Sequence, residues 1–336
     1  METAIAALKL FNLKGAIKSI APLGFGHIND SYAVHLGGKG YLLQRLNTNV
    51  FLQPEVVETN LFNLLEYHSD LFPEHLKGED GNYHQFDGRH WWRLQEFVND
   101  SYSPIELVPN ELKEIAKGFG QFTAQFANEN LEAYRESIPL FHNLRHRLNQ
   151  FEQALERDHV GRVKTTTPVI DEIKSYAWIA DKFEELVQMG LPQRVCHNDA
   201  KAGNCLLSKT SGQFLKIVDL DTVGPGYVLF DLGDMLRSML FNIPENQSDL
   251  DHLKYDSSRF NIIIDSYLRE CGQILEPIEK DSLAFGGLYM TYIMAVRFLT
   301  DYLNGDIYYK IGHVEENLIR TKNQLRILNL MNQHHP

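Results

Sequence analysis

The run His197-Asn198-Asp199-Ala200-Lys201-Ala202-Gly203-Asn204, taken with Asp219 in the later IVDLD segment, decides how this chain is read. Apolar strand-like pieces frame both carboxylates: CLL follows the first run, and LKIV leads into Asp219. Loop carboxylates held between buried strands need a reason to be there, because an unpaired charge near a core is costly. Asp199 suits a carboxylate that holds and helps deprotonate an acceptor hydroxyl. Asn204, five residues on, offers an amide oxygen to a magnesium ion, and Asp219, fifteen residues further, brings a charged oxygen from the other side of a hairpin. These are the parts that phosphoryl transfer from ATP requires. His197 reads as a buried histidine that braces the loop by hydrogen bonds. Cys196 reads as a small apolar residue at a strand end, not as a thiol nucleophile.

Upstream, Ile17 to Leu23 is short and apolar-rich, GFGHIND intervenes, and SYAVHL follows. Gly37, Gly38 and Gly40 supply a turn before YLLQRLN resumes the strand pattern. Val56, Val57, Leu61, Leu64 and Leu65 then recur near helical spacing, with Pro54 in the first turn. NYHQFDGRHWWRLQEFV reads as two strands joined at Asp87-Gly88. Beyond Asn99 the character turns helical. Leu112, Ile115, Phe119 and Phe122 share a face within 109–128, and further helices are expected at 140–157 and 170–189. One strand enters the Asp199 loop, a second follows a Ser211-Gly212 turn, and the remainder is mostly helical. The expected fold is α+β and two-lobed: a β-rich N-terminal lobe over 1–98, a linker near 96–101, and a larger, mainly helical lobe over 99–336. A cleft between such lobes is the expected site.

The chain has 336 residues and a net charge of −12, which argues against a nucleic-acid partner. No stretch approaches 18 uninterrupted apolar residues, so no membrane span is expected. METAIAALKLFNLKG lacks a basic leader and reads as an amphipathic helix. Three cysteines form no CxxC pair, which points to a reducing, cytoplasmic setting. A monomer is expected. The fourteen histidines show no HExxH-like spacing, so a metallohydrolase is disfavoured.

The stretch HNDAKAGNCLL…KIVDLDTVGPGYVLFDLGDMLR resembles the aminoglycoside phosphotransferase and choline kinase superfamily, whose fold is protein-kinase-like. GFGHINDSYAV, YLLQRLNTNVFLQPEVVETN and AVRFLTDYLNGDIYYK are similar to the bacterial N-acetylhexosamine 1-kinases within it, so the likeness spans roughly 20–330. The resemblance implies phosphorylation of a GlcNAc- or GalNAc-type sugar at C1, with ATP and magnesium as cofactors. It implies Asp199 as base, Asn204 and Asp219 as magnesium ligands, and Asp231 as a structural brace of the catalytic loop. Arg297 and Tyr308 fall where that subgroup holds its hexosamine; an alternative for Arg297 is an ion pair with Asp301 on the same helix. Asp221 reads equally as a capping carboxylate or as a second metal contact. A kinase for another sugar, choline or an aminoglycoside, and a catalytically silent kinase-like module, are the competing readings.

Two segments depart from the protein-kinase pattern. In the Gly-rich loop, Gly24 and Gly26 are present and Asn29 stands at the third glycine position. Backbone N–H groups there can still approach phosphates, with Ser31 or His27 adding a donor; the plain alternative is a hairpin turn. The third strand carries no lysine: it offers Gln44 and Arg45, which strand alternation points to opposite faces. Arg45 is the favoured phosphate-facing cation, paired with Glu58 and with Glu55 in reserve. The linker backbone from Glu96 to Val98 is expected to read the adenine edge. Of the adjacent Trp91 and Trp92, at least one is expected in the core.

Overall fold

The computed structural model describes residues 2–23, 28–67, 69–241 and 243–335. Its N-terminal lobe opens with α1 (Glu2–Leu8), β1 (Ile17–Leu23), β2 (Asp30–Leu36), β3 (Lys39–Arg45), α2 (Pro54–Tyr67), β4 (His75–Leu76), β5 (His84–Phe86) and β6 (Trp91–Glu96). The strands form one antiparallel sheet in the order β1-β2-β3-β6-β4, with β5 also on β6. Helix α1 lays Ala4, Ala7 and Leu8 against Val34, Leu43, Trp92 and Leu94 of this sheet, as its amphipathic sequence requires. Trp92 is fully buried and donates its indole N–H to Asp87, while Trp91 stacks on Phe86.

Register matters most here. Ser31, Gln44 and Arg93 stand opposite one another across β2, β3 and β6, so they share a face. Asp30, Arg45 and Trp92 form the next row and take the other face.

The second lobe contains β7 (Ser101–Tyr102), α3 (Pro109–Phe126), α4 (Leu144–Arg157), α5 (Val163–Ser175), α6 (Trp178–Gln188), β8 (Arg194–Cys196), β9 (Cys205–Ser208), β10 (Phe214–Ile217), β11 (Gly224–Gly226), α7 (Val228–Met239), α8 (Ser257–Cys271), α9 (Pro277–Leu303) and α10 (Glu316–Asn332). Strands β10-β9-β7 make one small sheet and β11-β8 a ribbon. The helix expected from 140 starts at Leu144, where the Asn143 side chain accepts the His146 N–H at 2.8 Å. The helix expected over 170–189 is two helices, broken at Tyr176-Ala177; the polar, Pro168-containing start of α5 hides its first turns from periodicity.

By length and composition α9 is long and apolar enough to cross a bilayer, yet 72% of its apolar window is buried inside this fold. It is the central core helix, packed against α4, α6, α7 and α10. Gly233 of α7 and Gly286 of α9 make the closest approach. A Cβ on Gly286 would fall well inside contact distance of the Leu229 carbonyl oxygen, so the two backbones meet only because these positions are glycine. That packing fixes α7, which carries Asp231 beneath the catalytic loop.

Candidate active site

The loop between β8 and β9 is held from three sides. From α7, the Asp231 carboxylate accepts the backbone N–H groups of His197 and Asn198 at 2.8 and 2.7 Å. Burial pushes Asp231 up to about 6, against the opposing pull of His197 and the two N–H donors. Fully buried His197 sits edge-on to Phe119 and Phe122, and its Nε2 meets the Val218 carbonyl at 3.2 Å, tying the loop to the chain just before Asp219. His142 meets the Asn198 carbonyl through Nε2 at 2.7 Å; burial lowers its pKa to about 4, so the neutral ring donates there. Asn198 adopts φ 62°, a left-handed conformation that asparagine tolerates. Cys196 is buried and burial raises its thiol well above the ordinary value, which removes it as a nucleophile.

This rigid loop presents Asp199. Its Oδ2 accepts from Lys201 Nζ at 2.7 Å and from Asn204 Nδ2 at 2.7 Å. Its Oδ1 makes no hydrogen bond to any described residue, so one carboxylate oxygen is left for a ligand. Burial opposes the charge on Lys201, but Asp199 and Asp219 outweigh it and raise its pKa. The sequence signal for Lys201 is slight: a basic residue two positions after the Asp199 carboxylate.

Asn204 also donates to the Asp199 carbonyl at 2.8 Å, so its amide nitrogen is fixed and its Oδ1 is left without a hydrogen bond among the described residues. Asp219, turned out of β10 by φ 64°, likewise has a carboxylate that accepts no hydrogen bond from a described residue. Both line an interlobe cavity of about 260 Å³. Two oxygen ligands with open positions around them suit a magnesium ion that completes its shell with phosphate and water. Among the described residues no group of three or more His, Cys, Asp or Glu side chains is placed to hold a metal unaided.

Asn29, Ser31, Glu96 and Val98 line the same cavity, as does Gln44; Gly24 and Gly26 lie outside the described residues. In the linker, the Glu96 N–H goes to Glu74 O and the Phe97 N–H to Gly40 O. The Glu96 carboxylate turns outward to Lys39 at 2.6 Å. The Val98 N–H has no partner among the described residues and is the donor left for a base edge.

Arg45 corrects one expectation. It pairs with Asp30 and lines a separate cavity with Asn47 and Arg89, not the interlobe one. Glu58 does not meet it: that carboxylate accepts the Tyr83 and His84 N–H groups, both at 2.8 Å, and His84 Nδ1 at 2.7 Å, fastening α2 to β5. The reason is strand alternation, which sends Gln44 inward and Arg45 out. Gln44 donates to Ser31 Oγ at 3.0 Å and accepts from Arg93 Nε at 2.9 Å. Buried Arg93 forms an ion pair with Asp221, which also accepts from Asn29 Nδ2 at 2.6 Å. Asp221 is thus neither a solvated cap nor free to act as a second metal contact. It anchors a buried ion pair between the lobes. No sequence signal marked Arg93, because a single strand does not reveal its cross-strand neighbours.

Arg297 and Tyr308, the expected hexosamine contacts, line one cavity of about 330 Å³ with Arg147 and Tyr309. The Arg297 guanidinium lies 4.9 Å from the Phe141 ring centre and 5.8 Å from that of Tyr308. Its expected alternative partner, Asp301, is engaged elsewhere: it accepts the N–H groups of Ile307, Tyr308 and Tyr309 at 2.9, 2.8 and 3.0 Å and the Asn317 amide at 2.9 Å. Those bonds shape the loop that carries Tyr308.

Comparison with known proteins agrees with this fold. Residues 19–257 match the model of the phosphotransferase enzyme family, APH. A microcompartment-associated aminopropanol kinase superposes with a TM-score of 0.65 at 14% identity, over 99% of this chain and 97% of that one. A spectinomycin phosphotransferase in complex with ADP and spectinomycin gives 0.61 at 14%, over 99% and 98%. The choline kinase from Streptococcus pneumoniae gives 0.61 at 14%, over 98% and 99%. At such identities the likeness is one of fold: a kinase-like architecture with a β-sheet N-terminal region and a helical C-terminal part.

Proposed function

The chain belongs to the phosphotransferase enzyme family, and from that premise we propose that it transfers the γ-phosphoryl group of ATP to the anomeric hydroxyl of an N-acetylhexosamine, with magnesium. The observation that carries the reading is the single free oxygen of Asp199, whose other oxygen is bonded to Asn204, a residue that lines the interlobe cavity with Asp219. Lys201 and Asn204 fix Oδ2, so Oδ1 is the atom that accepts the C1 hydroxyl proton. Asp231, His197 and His142 keep the loop in place as that proton moves. Asn204 and Asp219 would hold magnesium, which would supply charge neutralisation to the phosphoryl group being transferred. Gln44, oriented by Arg93, and the Val98 N–H receive the nucleotide on the N-lobe side.

The acceptor cavity favours a sugar over choline or a polycationic aminoglycoside, since Arg147 and Arg297 repel cations. Ring hydroxyls and an acetamido carbonyl offer acceptors to Arg297, and the rings of Tyr308 and Phe141 offer stacking faces. The test is ADP release from magnesium-ATP against free hexosamines, other sugars, choline and an aminoglycoside, with phosphorus NMR of the product. An anomeric phosphate formed only with an N-acetylhexosamine supports the reading. Turnover with another alcohol alone overturns the substrate, and nucleotide binding without turnover on any acceptor overturns the activity.

A further inference from the structure

Several other buried and half-buried arginines meet carboxylates, and half-buried Arg259 spends its donors on the carbonyls of Leu240, Leu107 and Met239. Arg93 pairs with Asp221, Arg162 with Asp306, Arg194 with Glu279, Arg237 with Asp234 and Glu245, and Arg320 with Glu316. Arg147 and Arg297 do not: among the described residues, neither has a carboxylate within ion-pair distance. Arg147 donates to the Phe141 carbonyl at 3.3 and 3.0 Å and to Gln150 Oε1 at 3.0 Å, all neutral acceptors. Arg297 reaches only Met294 Sδ, at 3.4 Å, and otherwise lies over aromatic rings.

Both guanidinium groups line the acceptor cavity, with exposed Arg157 at its edge. The one carboxylate in that lining, Asp301, is already turned to three backbone N–H groups and Asn317. Burial, then the charge of Arg297, lowers Arg147 to about 10, which registers the mutual repulsion. A chain with a net charge of −12 has thus kept two neighbouring guanidinium groups without a counter-charge, in a cavity that can admit one. Partly desolvated guanidinium groups bind anionic oxygens strongly and with defined geometry.

We propose that this cavity is an anion site, and that the acceptor sugar carries an anionic group on the side of its ring remote from the anomeric hydroxyl. This rests on the acceptor-site reading of Arg297 and Tyr308. The ligand class becomes an acidic hexosamine derivative, recognised by Arg147 and Arg297 together. The same chemistry could come from free phosphate, and the test separates the two sources.

Isothermal titration of the full chain would use N-acetylglucosamine, its 6-phosphate and inorganic phosphate, at about 50 mM and about 500 mM NaCl. The 6-phosphate is expected to bind at least ~10-fold tighter than its parent at low salt, with the gain shrinking at high salt. In Arg147→Gln the gain should fall to within about twofold, and Arg147→Lys should keep part of it. Comparing acid with neutral sugar inside each variant cancels any general loss of fold, which circular dichroism checks independently. Equal affinity for parent and 6-phosphate, or a gain that survives Arg147→Gln, would overturn the proposal. Arg147-dependent binding of inorganic phosphate with no gain for the 6-phosphate would assign the anion to free phosphate and overturn the acceptor-borne group. Failure of the kinase reading shows instead as absent ADP release, and leaves these affinity ratios as they are.

Discussion

Replacing Arg93 with methionine tests the cross-lobe anchor. The guanidinium is 3% exposed and its partner Asp221 1%, so solvent screens the pair little. Removing one partner of such a pair strands the other charge, at a cost of about 3–5 kcal/mol. Gln44 Oε1 also loses its Arg93 donor, about 1 kcal/mol more. For a chain this size the expected fall in melting temperature is on the order of 10 °C. Adding Asp221→Asn to Arg93→Met removes the stranded charge and should recover roughly 2 kcal/mol, so the two changes together cost less than their sum. Calorimetry and urea unfolding of the four proteins measure this. Strictly additive single changes, or a shift under about 2 °C for Arg93→Met, would show that the pair does not hold the lobes. Activity supplies a second readout. Loss of the Arg93 bond frees the Gln44 amide inside the interlobe cavity proposed for ATP, so the KM for ATP should rise about 10-fold while that for the acceptor moves less than about twofold. Equal rises in both would refute a role in positioning the nucleotide site.

Three further outcomes follow from the geometry. Asp199→Ala should lower kcat by about 10²–10⁴ while nucleotide affinity, by titration with ADP, stays near that of the parent; lost affinity with intact single-turnover chemistry would contradict the role of Oδ1. His142 is favoured neutral in the fold, with its pKa lowered by burial from 6.5 to about 4, so its contribution to stability is complete above pH 6.5 and fades as pH falls toward 4. His142→Gln should therefore flatten the acid side of the urea-midpoint profile; Asp231, raised from 3.8 to about 6, acts in the opposite sense as pH rises across that window, and an unchanged slope in the variant would exclude His142 as the source. Gly286→Ala should destabilise by several kcal/mol, because the new Cβ meets backbone at Leu229 and not a side chain that can move; a melting temperature within about 2 °C of the parent would contradict that packing.

What was legible in the sequence follows the range over which each feature is determined. The loop from His197 to Asn204 and the carboxylate at Asp219 are local: a few residues and their flanking strands define the geometry, in which Asn204 bonds Asp199 and lines one cavity with Asp219. The lobe architecture was legible for a related reason, since period-two and period-3.6 patterns are also local. The cavity-lining face of the sheet was not. Alternation along β3 says that Gln44 and Arg45 point oppositely, but which of them faces the interlobe cavity depends on where β2 and β6 pair with β3. Positive charge on β3 is a poor guide, because the buried cation sits one strand over, on Arg93, and reaches the cavity lining through the neutral amide of Gln44. Arg297 illustrates the same limit on a helix. Its spacing to Asp301 suits an ion pair, yet the N–H groups of the following loop take that carboxylate instead. The guanidinium is then left facing a cavity with Arg147, a residue 150 positions earlier whose proximity no local pattern could announce. Local patterns therefore located the loop carboxylates, whereas the placement of Arg93, Arg147 and Arg297 is set by pairings between distant segments.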